Sequence, residues 1–300
     1  MQRRLGTDVG LTARLFLTLF LLALVYLLFI GVLWRLGFSL VFLILIAVVL
    51  LGIQYYFSDK LILLSLGARE VSEQEAPQLH QIVERLAQMT GIPKPKVAII
   101  DSPVPNALAT GRNPKHALVA VTTGILNQLD EQEMQAVLAH ELSHVIHRDV
   151  AVMAMASFFA TIAAFIVQMG LFGGFGGGYG GERDRDRGGG AFILIFVVSA
   201  AVWAISFVLI RTLSRYREYA ADRGSAIITR DPSRLASALL KISGRMQRIP
   251  DTDLRQMQAG SALMFFPAVS RGSLGEMFAT HPSLEHRIAR LQAMEAEMSR

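Results

Sequence analysis

Long uncharged apolar segments are the feature that most restricts the folds open to this chain. Leu15–Leu33 and Gly37–Phe57 contain no charged side chain, and each approaches the roughly 20 residues that an α-helix needs to cross a hydrocarbon layer. Only Trp34–Leu36 separates them, so residues 1–57 are predicted to form a transmembrane hairpin. A second apolar segment follows at once and no small-residue cleavage site intervenes, which favours an anchor over a cleaved signal peptide.

Two further apolar segments follow, Ala151–Phe172 and Ala191–Ile210, joined by a glycine-rich loop over residues 173–190. They predict a second hydrophobic hairpin over residues 151–210, although the Ala- and Met-rich first segment also suits a buried helix pair. Hydrophobic residues make up 52% of the chain and charged residues 18%, more apolar than an average soluble domain. About four transmembrane helices are therefore expected.

Arginines flank the apolar segments at both ends of this arrangement. The positive-inside rule then places both chain termini, and the polar segments 58–150 and 211–300, in the cytoplasm. Because the arginines cluster beside apolar segments, the net charge of +5 is interpreted as membrane topology, with the lipid bilayer as a partner and no nucleic acid. The arginines concerned are Arg3, Arg4, Arg14, Arg211, Arg215 and Arg217.

The polar segments predict a helix followed by a small sheet. The helix covers residues 75–91 and ends at Gly91, where apolar periodicity stops. Three β-rich stretches follow, at Val97–Ile100, Asn106–Gly111 and Ala117–Leu126, and predict two or three strands. Such a sheet is either plain core or offers an edge strand to an extended substrate.

The motif His140-Glu141-x-x-His144 lies on the next predicted helix, which Asp130 and Glu133 begin with the spacing of a capping box. At about 100° per residue, the two histidines share one face and can reach one cation. Glu141, beside them, can hold a metal-bound water. The chain has no cysteine, so any metal must use His, Asp or Glu. Because this short pattern also arises by chance, the motif indicates a metal site only if the chain supplies a third ligand.

The third ligand has to come from another helix, since His147 and Asp149 follow His144 too closely. The segment "SRYREYAADRGSA" after the fourth apolar segment supplies Glu218, with Asp222 one turn later. Glu218 would bind the metal, and Asp222 would hold a ligating imidazole through its second nitrogen. The alternative is a solvated helix whose acidic residues pair with neighbouring arginines.

These segments resemble the HtpX-type membrane zinc metalloproteases, relatives of the CAAX prenyl endoproteases. The resemblance is carried by "HELSHVIHRD", "SRYREYAADRGSA", "PNALATG" and "THPSLEHRIARL" and covers nearly the whole chain. It implies a mainly α integral membrane protein with a small β-sheet and a cytosolic zincin-like metalloprotease domain. That domain would be assembled from residues 58–150 and 211–300.

The resemblance also implies roles for individual residues. One zinc ion per chain would be held by His140, His144 and Glu218, with Glu141 as general base. Asp222 and Arg287 would contact the metal ligands without binding the metal themselves. The strand ending in "VAVTT" would bind extended substrate. His281 would steady the oxyanion, or else cap the helix starting near Ser283, and Arg287 could instead be exposed. Asn106 of "PNALATG" would bind substrate backbone.

The resemblance further implies hydrolysis of misfolded or damaged membrane proteins, or unfolded polypeptides, on the cytosolic side of a bacterial inner membrane. Three alternatives stay open: a scaffold or chaperone with a structural zinc, a prenyl-protein endoprotease, and a protease cutting within the bilayer. The polar stretch "NQLDEQEMQ" before the motif argues against the last, and prenyl endoproteases have more spans. Residues 250–280 form either a lid or a surface excursion. Oligomeric state, substrates and cleavage preference are not predicted.

Overall fold

The computed structural model describes residues 8–39, 66–111, 113–172, 185–246 and 282–299, with a few positions between 40 and 65. The helices within these residues are α1 (Val9–Arg35), α2 (Pro77–Thr90), α3 (Thr123–Leu126), α4 (Glu131–Ile146), α5 (Asp149–Phe172), α6 (Arg185–Thr229), α7 (Pro232–Met246) and α8 (Leu284–Met298). The strands are β1 (Arg69–Glu70), β2 (Lys96–Ile100), β3 (Ala107–Thr110) and β4 (Leu118–Thr122).

The chain divides into two compact units within the described residues. The sheet unit comprises what is described of Met1–Leu11, Tyr56–Ala151 and Ser214–Arg300. The apolar unit comprises what is described of Thr12–Tyr55 and Val152–Leu213. The sheet unit therefore takes its residues from both sides of the second hydrophobic segment pair, as a domain built from two separate polar segments must.

The sheet unit is built around four strands in the described residues, in the order β1-β2-β4-β3. The central pair, β2 and β4, is parallel, and the outer strands β1 and β3 are antiparallel to their neighbours. The core includes Leu86 of α2, Val119 of β4, Leu138 of α4 and Leu239 of α7, all with exposed fractions of 0%. The sheet thus places β3 at one outer edge, with helices packed over the core.

The predicted ends of two helices are confirmed. Helix α2 stops at Gly91, whose φ of 72° is a left-handed conformation that glycine adopts without steric cost. Helix α4 begins with a complete capping box: Asp130 Oδ1 accepts from Glu133 N at 2.9 Å, and Glu133 Oε2 accepts from Asp130 N at 3.0 Å. Both helix ends could be predicted from the sequence because each depends only on residues close together in the chain.

The predicted strand at Ala117–Leu126 is wrong in its second half. Strand β4 ends at Thr122, and the chain turns into α3 because Thr122 Oγ1 accepts from Ile125 N at 3.2 Å as a helix cap. The sheet also has a strand that the sequence did not suggest, β1. Two residues are too few to show an alternating pattern.

The described residues contain three helices long and apolar enough to cross a membrane: Val9–Arg35, Asp149–Gln168 and Ile193–Thr229. In each helix, at most 22% of the apolar 18-residue stretch is buried. Exposed side chains on these helices include Phe16, Leu27, Phe165 and Val208. So much exposed apolar surface fits lipid surroundings rather than water.

The apolar unit has a small core of its own. It contains Tyr26 and Phe29 of α1, Ala163 of α5 and Val202 of α6. Tyr26 donates its hydroxyl to the carbonyl oxygen of Ala156, and its ring centroid lies 4.9 Å from that of Phe159. The tyrosine hydroxyl thus finds a partner inside this packing.

Three predicted spans coincide with helices of the structure, and the second, Gly37–Phe57, lies mostly outside the described residues. Of the predicted glycine-rich loop, residues 173–184 also lie outside them, whereas residues 185–190 belong to α6. Glu218 is carried by this same uninterrupted 45-residue helix. The predicted class, mainly α with a small sheet and membrane helices, is confirmed.

Candidate metal centre

Helix α4 holds its two histidines on a fixed, buried support. Residues 136–143 are all buried. At its start, the carboxylate of Glu133 accepts from Lys241 Nζ at 2.6 Å and from Ser237 Oγ at 2.7 Å, both on α7. The helix is therefore tied at its beginning and packed along its length, so the histidine backbone has little freedom to shift.

Helix α6 packs against α4 through small residues. Ser225 Oγ donates to the carbonyl oxygen of Ala136 at 2.7 Å, and Gly224 lies against Ser143. This close approach brings the carboxylate of Glu218 to the two imidazoles. Glu218 and Asp222 are both buried, so the alternative in which they lie on a solvated helix face is wrong.

Three ligand atoms converge in the sheet unit. The Nε2 atoms of His140 and His144 are 3.2 Å apart. Each lies 3.5 Å from one carboxylate oxygen of Glu218. A tetrahedral ion with bonds of about 2.1 Å has ligands separated by about 3.4 Å. The nearest oxygen is Oε2 for His140 and Oε1 for His144. With one ligand atom taken from each residue, all three atoms lie within 4.8 Å of one another, so these residues form a group that could hold a metal ion.

The second nitrogen of each histidine faces a carboxylate. His140 Nδ1 lies 3.0 Å from Asp222 Oδ1, and His144 Nδ1 lies 2.6 Å from Asp149 Oδ2. A carboxylate on Nδ1 keeps the proton there and leaves the Nε2 lone pair available for a cation. Both imidazoles therefore present the correct nitrogen to Glu218.

Each of these carboxylates is in turn held by an arginine. Arg287 donates through Nε to Asp222 Oδ2 at 3.0 Å and through Nη2 to Oδ1 at 2.6 Å. Its Nη1 also lies 3.6 Å from Glu218 Oε2. Arg217 Nη2 lies 2.9 Å from Asp149 Oδ2. Arg287 has an exposed fraction of 2%, so its alternative role as an exposed helical arginine is wrong.

The charges of this cluster suit a divalent cation. It contains four carboxylates, those of Glu141, Asp149, Glu218 and Asp222, and the two guanidinium groups already described. With every carboxylate ionised and both imidazoles neutral, as metal binding requires, a formal surplus of two negative charges remains. Buried charge of this kind is costly unless it is paired or coordinates a metal.

Glu141 bonds to the edge strand. Its Oε2 accepts from the backbone N–H of Ala109 on β3 at 2.8 Å. Burial raises the pKa of Glu141 to about 8. A carboxylate with a pKa near the working pH can both accept and return a proton.

The two histidines differ electrostatically. Burial opposes the charged form of His140, but contacts with Asp222 and Glu218 outweigh it and raise the pKa of His140 to about 9. Burial lowers the pKa of His144 below its usual range. One imidazole therefore carries a proton at neutral pH before a cation arrives.

The strand expected to bind substrate has no free edge. Strand β4, which ends in "VAVTT", lies between β2 and β3, so both of its edges are paired and that expectation is wrong. The outer strand on this side of the described sheet is β3. The N–H of Ala109 points away from β4, because it donates to Glu141. Local patterns gave the strands but not their order, which depends on pairing between distant segments.

Asn106 is buried at the beginning of β3. Its Oδ1 accepts from Ala107 N at 3.0 Å, while its backbone carbonyl oxygen accepts from Thr122 N at 2.9 Å. Asn106 therefore shapes the start of the edge strand. His281 lies outside the described residues. His147 is exposed at the end of α4.

Two contributors to the site were missed by sequence reasoning. Asp149 was weighed only as a ligand, and Arg217 only as a topology marker or a partner in a solvated helix. The five-residue separation of His144 from Asp149 was visible, but the turn that brings them together was not. The bond from the Ala109 N–H could not be predicted from the sequence, because every non-proline residue carries a backbone N–H.

Comparison with known proteins identifies the family. Residues 73–295 match peptidase family M48. The chain is 56% identical over 298 residues to the Protease HtpX homolog of Moorella thermoacetica, covering 99% of each chain. It is 54% identical over 300 residues to Protease HtpX homolog 2 of Methanosarcina acetivorans, covering 100% of each. It is 48% identical to Protease HtpX homolog 1 of Streptomyces coelicolor, covering 99% of this chain and 97% of the relative.

Among solved structures, Ste24p from S. mikatae matches with a TM-score of 0.48 and 18% identity, over 93% of this chain and 67% of that chain. The family match spans most of the chain, and the three relatives named above, each called a protease, match over at least 97% of both chains. This chain therefore belongs to peptidase family M48, among the membrane metalloproteases related to HtpX.

Proposed function

We propose that this protein is a zinc-dependent endopeptidase that cleaves misfolded or damaged membrane proteins and unfolded polypeptides. The observation that carries the proposal is the triangle formed by His140 Nε2, His144 Nε2 and the Glu218 carboxylate. Glu141 lies beside it, hydrogen-bonded to the edge of the sheet. Family membership supports the protease activity, and the triangle supports the metal.

The donor set supports zinc as the metal, one ion per chain. Two imidazoles and one glutamate form a ligand set of catalytic zinc, which leaves the fourth position to water. Imidazole nitrogen favours zinc and other late transition metals over magnesium or calcium, which prefer oxygen ligands. The surplus of two negative charges in the cluster matches a divalent ion.

When bound, zinc would supply a polarised carbonyl and a water whose pKa lies near neutrality. The protein's own contribution begins at Glu141. Its carboxylate accepts the proton of the attacking water and returns it to the leaving amine. The bond from Ala109 N keeps this carboxylate aimed at the site. His281 is proposed to steady the oxyanion.

The edge of β3 is proposed to bind substrate. Alternate residues of an antiparallel strand direct their N–H and C=O groups away from the partner strand. Ala107 and Ala109 are the outward-facing pair in the register with β4, because Asn106 and Thr122 bond to each other. The N–H groups of Ala107 and Ala109 bond to Asn106 Oδ1 and Glu141 Oε2, so an extended polypeptide would add to this edge through its backbone by replacing those bonds. Since only unfolded segments offer a free backbone, pairing with the strand edge selects misfolded chains. Asn106 is proposed to assist by binding substrate backbone.

We place the protein in a bacterial inner membrane, with both termini and the active site in the cytosol. Three apolar helices support membrane insertion, and the arginines flanking the apolar segments support the orientation. The bilayer is then a permanent partner, and a role in quality control of membrane proteins follows from the substrates proposed.

The test is zinc-triggered proteolysis. The full chain is purified in detergent with a chelator, zinc is added, and self-cleavage and casein cleavage are followed beside Glu141→Gln. We expect cleavage by the original protein and a loss of at least about 100-fold in the variant, which removes the general base. Zinc binding without cleavage by either protein would favour a scaffold with a structural zinc. Cleavage of prenylated peptides alone would favour a prenyl-protein endoprotease.

A further inference from the structure

We infer that Asp149, held by Arg217, is a positioning residue that sets the orientation and tautomer of the metal ligand His144. The inference rests on the proposed metal site and adds a residue pair to it. The His144 Nδ1 to Asp149 Oδ2 distance is 2.6 Å, and the Arg217 Nη2 to Asp149 Oδ2 distance is 2.9 Å. Side-chain exposed fractions are 14% for His144 and Arg217 and 7% for Asp149.

The chemistry of this contact determines which nitrogen of His144 can bind a cation. A carboxylate accepts hydrogen bonds and does not donate them, so the bond to Asp149 places the imidazole proton on Nδ1. The lone pair then lies on Nε2, the atom that is 3.2 Å from His140 Nε2 and 3.5 Å from Glu218. The guanidinium of Arg217 favours the ionised carboxylate that this arrangement needs.

The turn after α4 is what brings Asp149 back to His144. Arg148 has a φ of 55°, one of two positive values among the described non-glycine residues. A single left-handed residue ends one helix and redirects the chain. Helix α5 then begins at Asp149, only five residues beyond His144. An acidic residue at a helix start is also favoured by the helix dipole, so the same carboxylate serves the turn and the imidazole.

The two histidines are supported in the same way by different parts of the chain. His140 faces Asp222, which Arg287 of α8 holds. His144 faces Asp149, which Arg217 of α6 holds. Arg217 immediately precedes Glu218. Helix α6 therefore supplies both the third metal ligand and the guanidinium group that holds Asp149 against His144. Displacing α6 would therefore loosen both contacts together.

The test measures metal affinity rather than activity. The full metal-free protein in detergent is titrated with Co²⁺ against a chromophoric chelator, and the visible cobalt spectrum is recorded. Asp149→Asn, Arg217→Gln and the double variant are compared, with Glu131→Gln as control because Glu131 is an exposed carboxylate on α4. We expect Asp149→Asn to weaken Co²⁺ binding by about 10- to 100-fold, the usual cost of losing such a partner.

Arg217→Gln should weaken Co²⁺ binding less, and the double variant should match Asp149→Asn, because Arg217 acts through Asp149. The control should bind as the original protein does. A purely structural role would lower the unfolding temperature of the metal-free protein without this affinity pattern. Equal affinity of Asp149→Asn and the original protein would overturn the inference, as would additive losses in the double variant.

The outcomes separate this inference from the proposed function. If the original protein binds no Co²⁺, the metal site itself fails and the inference fails with it. If the original protein binds Co²⁺ and the Asp149 variant binds it equally, only the inference fails. If Asp149→Asn does not fold, Arg217→Gln carries the test: weaker binding supports the inference, and unchanged binding overturns it.

Discussion

Gly224 on α6 lies so close to Ser143 on α4 that a methyl group on Gly224 would be 2.2 Å from Ser143 Oγ and 2.8 Å from Ser143 Cβ. The position is helical, so conformational freedom is not the reason for glycine here. The reason is the approach of two helices, one bearing both histidines and the other bearing Glu218. A side chain at this contact would separate the metal ligands.

Gly224→Ala should therefore push α6 away from α4 and weaken metal binding. Overpacking of this kind costs about 1–3 kcal/mol of unfolding free energy, and we expect a lower unfolding temperature together with at least about a tenfold loss of zinc affinity. Both are measured on the full protein in detergent, by a thermal melt and by competition with a chelator.

Gly244→Ala is the matched control for that experiment. Gly244 is also helical, on α7, and an added Cβ would meet no atom within 4 Å. Alanine there should stabilise by up to about 1 kcal/mol because it favours helix over the unfolded chain. If the two variants behave alike, the close approach at Gly224 does not position the ligands.

Metal affinity should rise with pH. The pKa of His140 in the metal-free protein is raised to about 9 by Asp222 and Glu218, against the effect of burial. Below that pH the cation has to displace a proton, so zinc affinity should increase up to about tenfold per pH unit and level off near pH 9. Calorimetry in buffers of different ionisation enthalpy should detect proton release on binding at pH 7.

The sign of the stability effect is opposite for the metal-free protein. A histidine pKa raised above the ordinary 6.5 stabilises the fold below pH 6.5, and that contribution is lost as pH rises towards 9. Chelator-treated protein should therefore lose stability over this range. Zinc affinity that stays constant between pH 6 and pH 8 would contradict the assignment of a proton to His140 in the metal-free protein.

Replacing Ala109 by proline should separate folding from catalysis. The N–H of Ala109 faces outward and donates to Glu141, so proline removes that bond without removing a bond to β4. We expect the variant to fold and to bind zinc while casein cleavage falls by at least about tenfold, because Glu141 loses the partner that aims it.

Leu108→Pro provides the contrast. Leu108 pairs with Ala120 in the register of β3 and β4, at a position whose N–H faces the neighbouring strand. Proline there should disrupt the sheet and reduce the yield of folded protein. Full activity of Ala109→Pro would show that the bond to Glu141 is dispensable.

Sequence reasoning succeeded where the decisive distance lay within one helix. His140 and His144 share a helix face, and so do Glu218 and Asp222, because residues four apart on an α-helix are neighbours. The capping box of α4 and the glycine end of α2 were also readable, since each depends on three or four consecutive residues.

The remaining features depend on segments that meet only in the folded chain. The order of the strands put β3 outside β4, and no local pattern specifies that order. The partnership of Asp149 with His144 requires the left-handed Arg148, an uncommon conformation for a non-glycine residue. Gly224 resembles any small residue in a helix until the neighbouring Ser143 is known.

The most direct measurement is X-ray absorption at the zinc edge, with the zinc content per chain, on the reconstituted protein. One zinc per chain is predicted, with two imidazoles at about 2.0–2.1 Å and oxygen ligands completing the set. Glu218→Ala should lower the zinc content while the membrane helices remain folded. No zinc, or zinc retained in full by Glu218→Ala, would contradict the assignment of His140, His144 and Glu218 as its ligands.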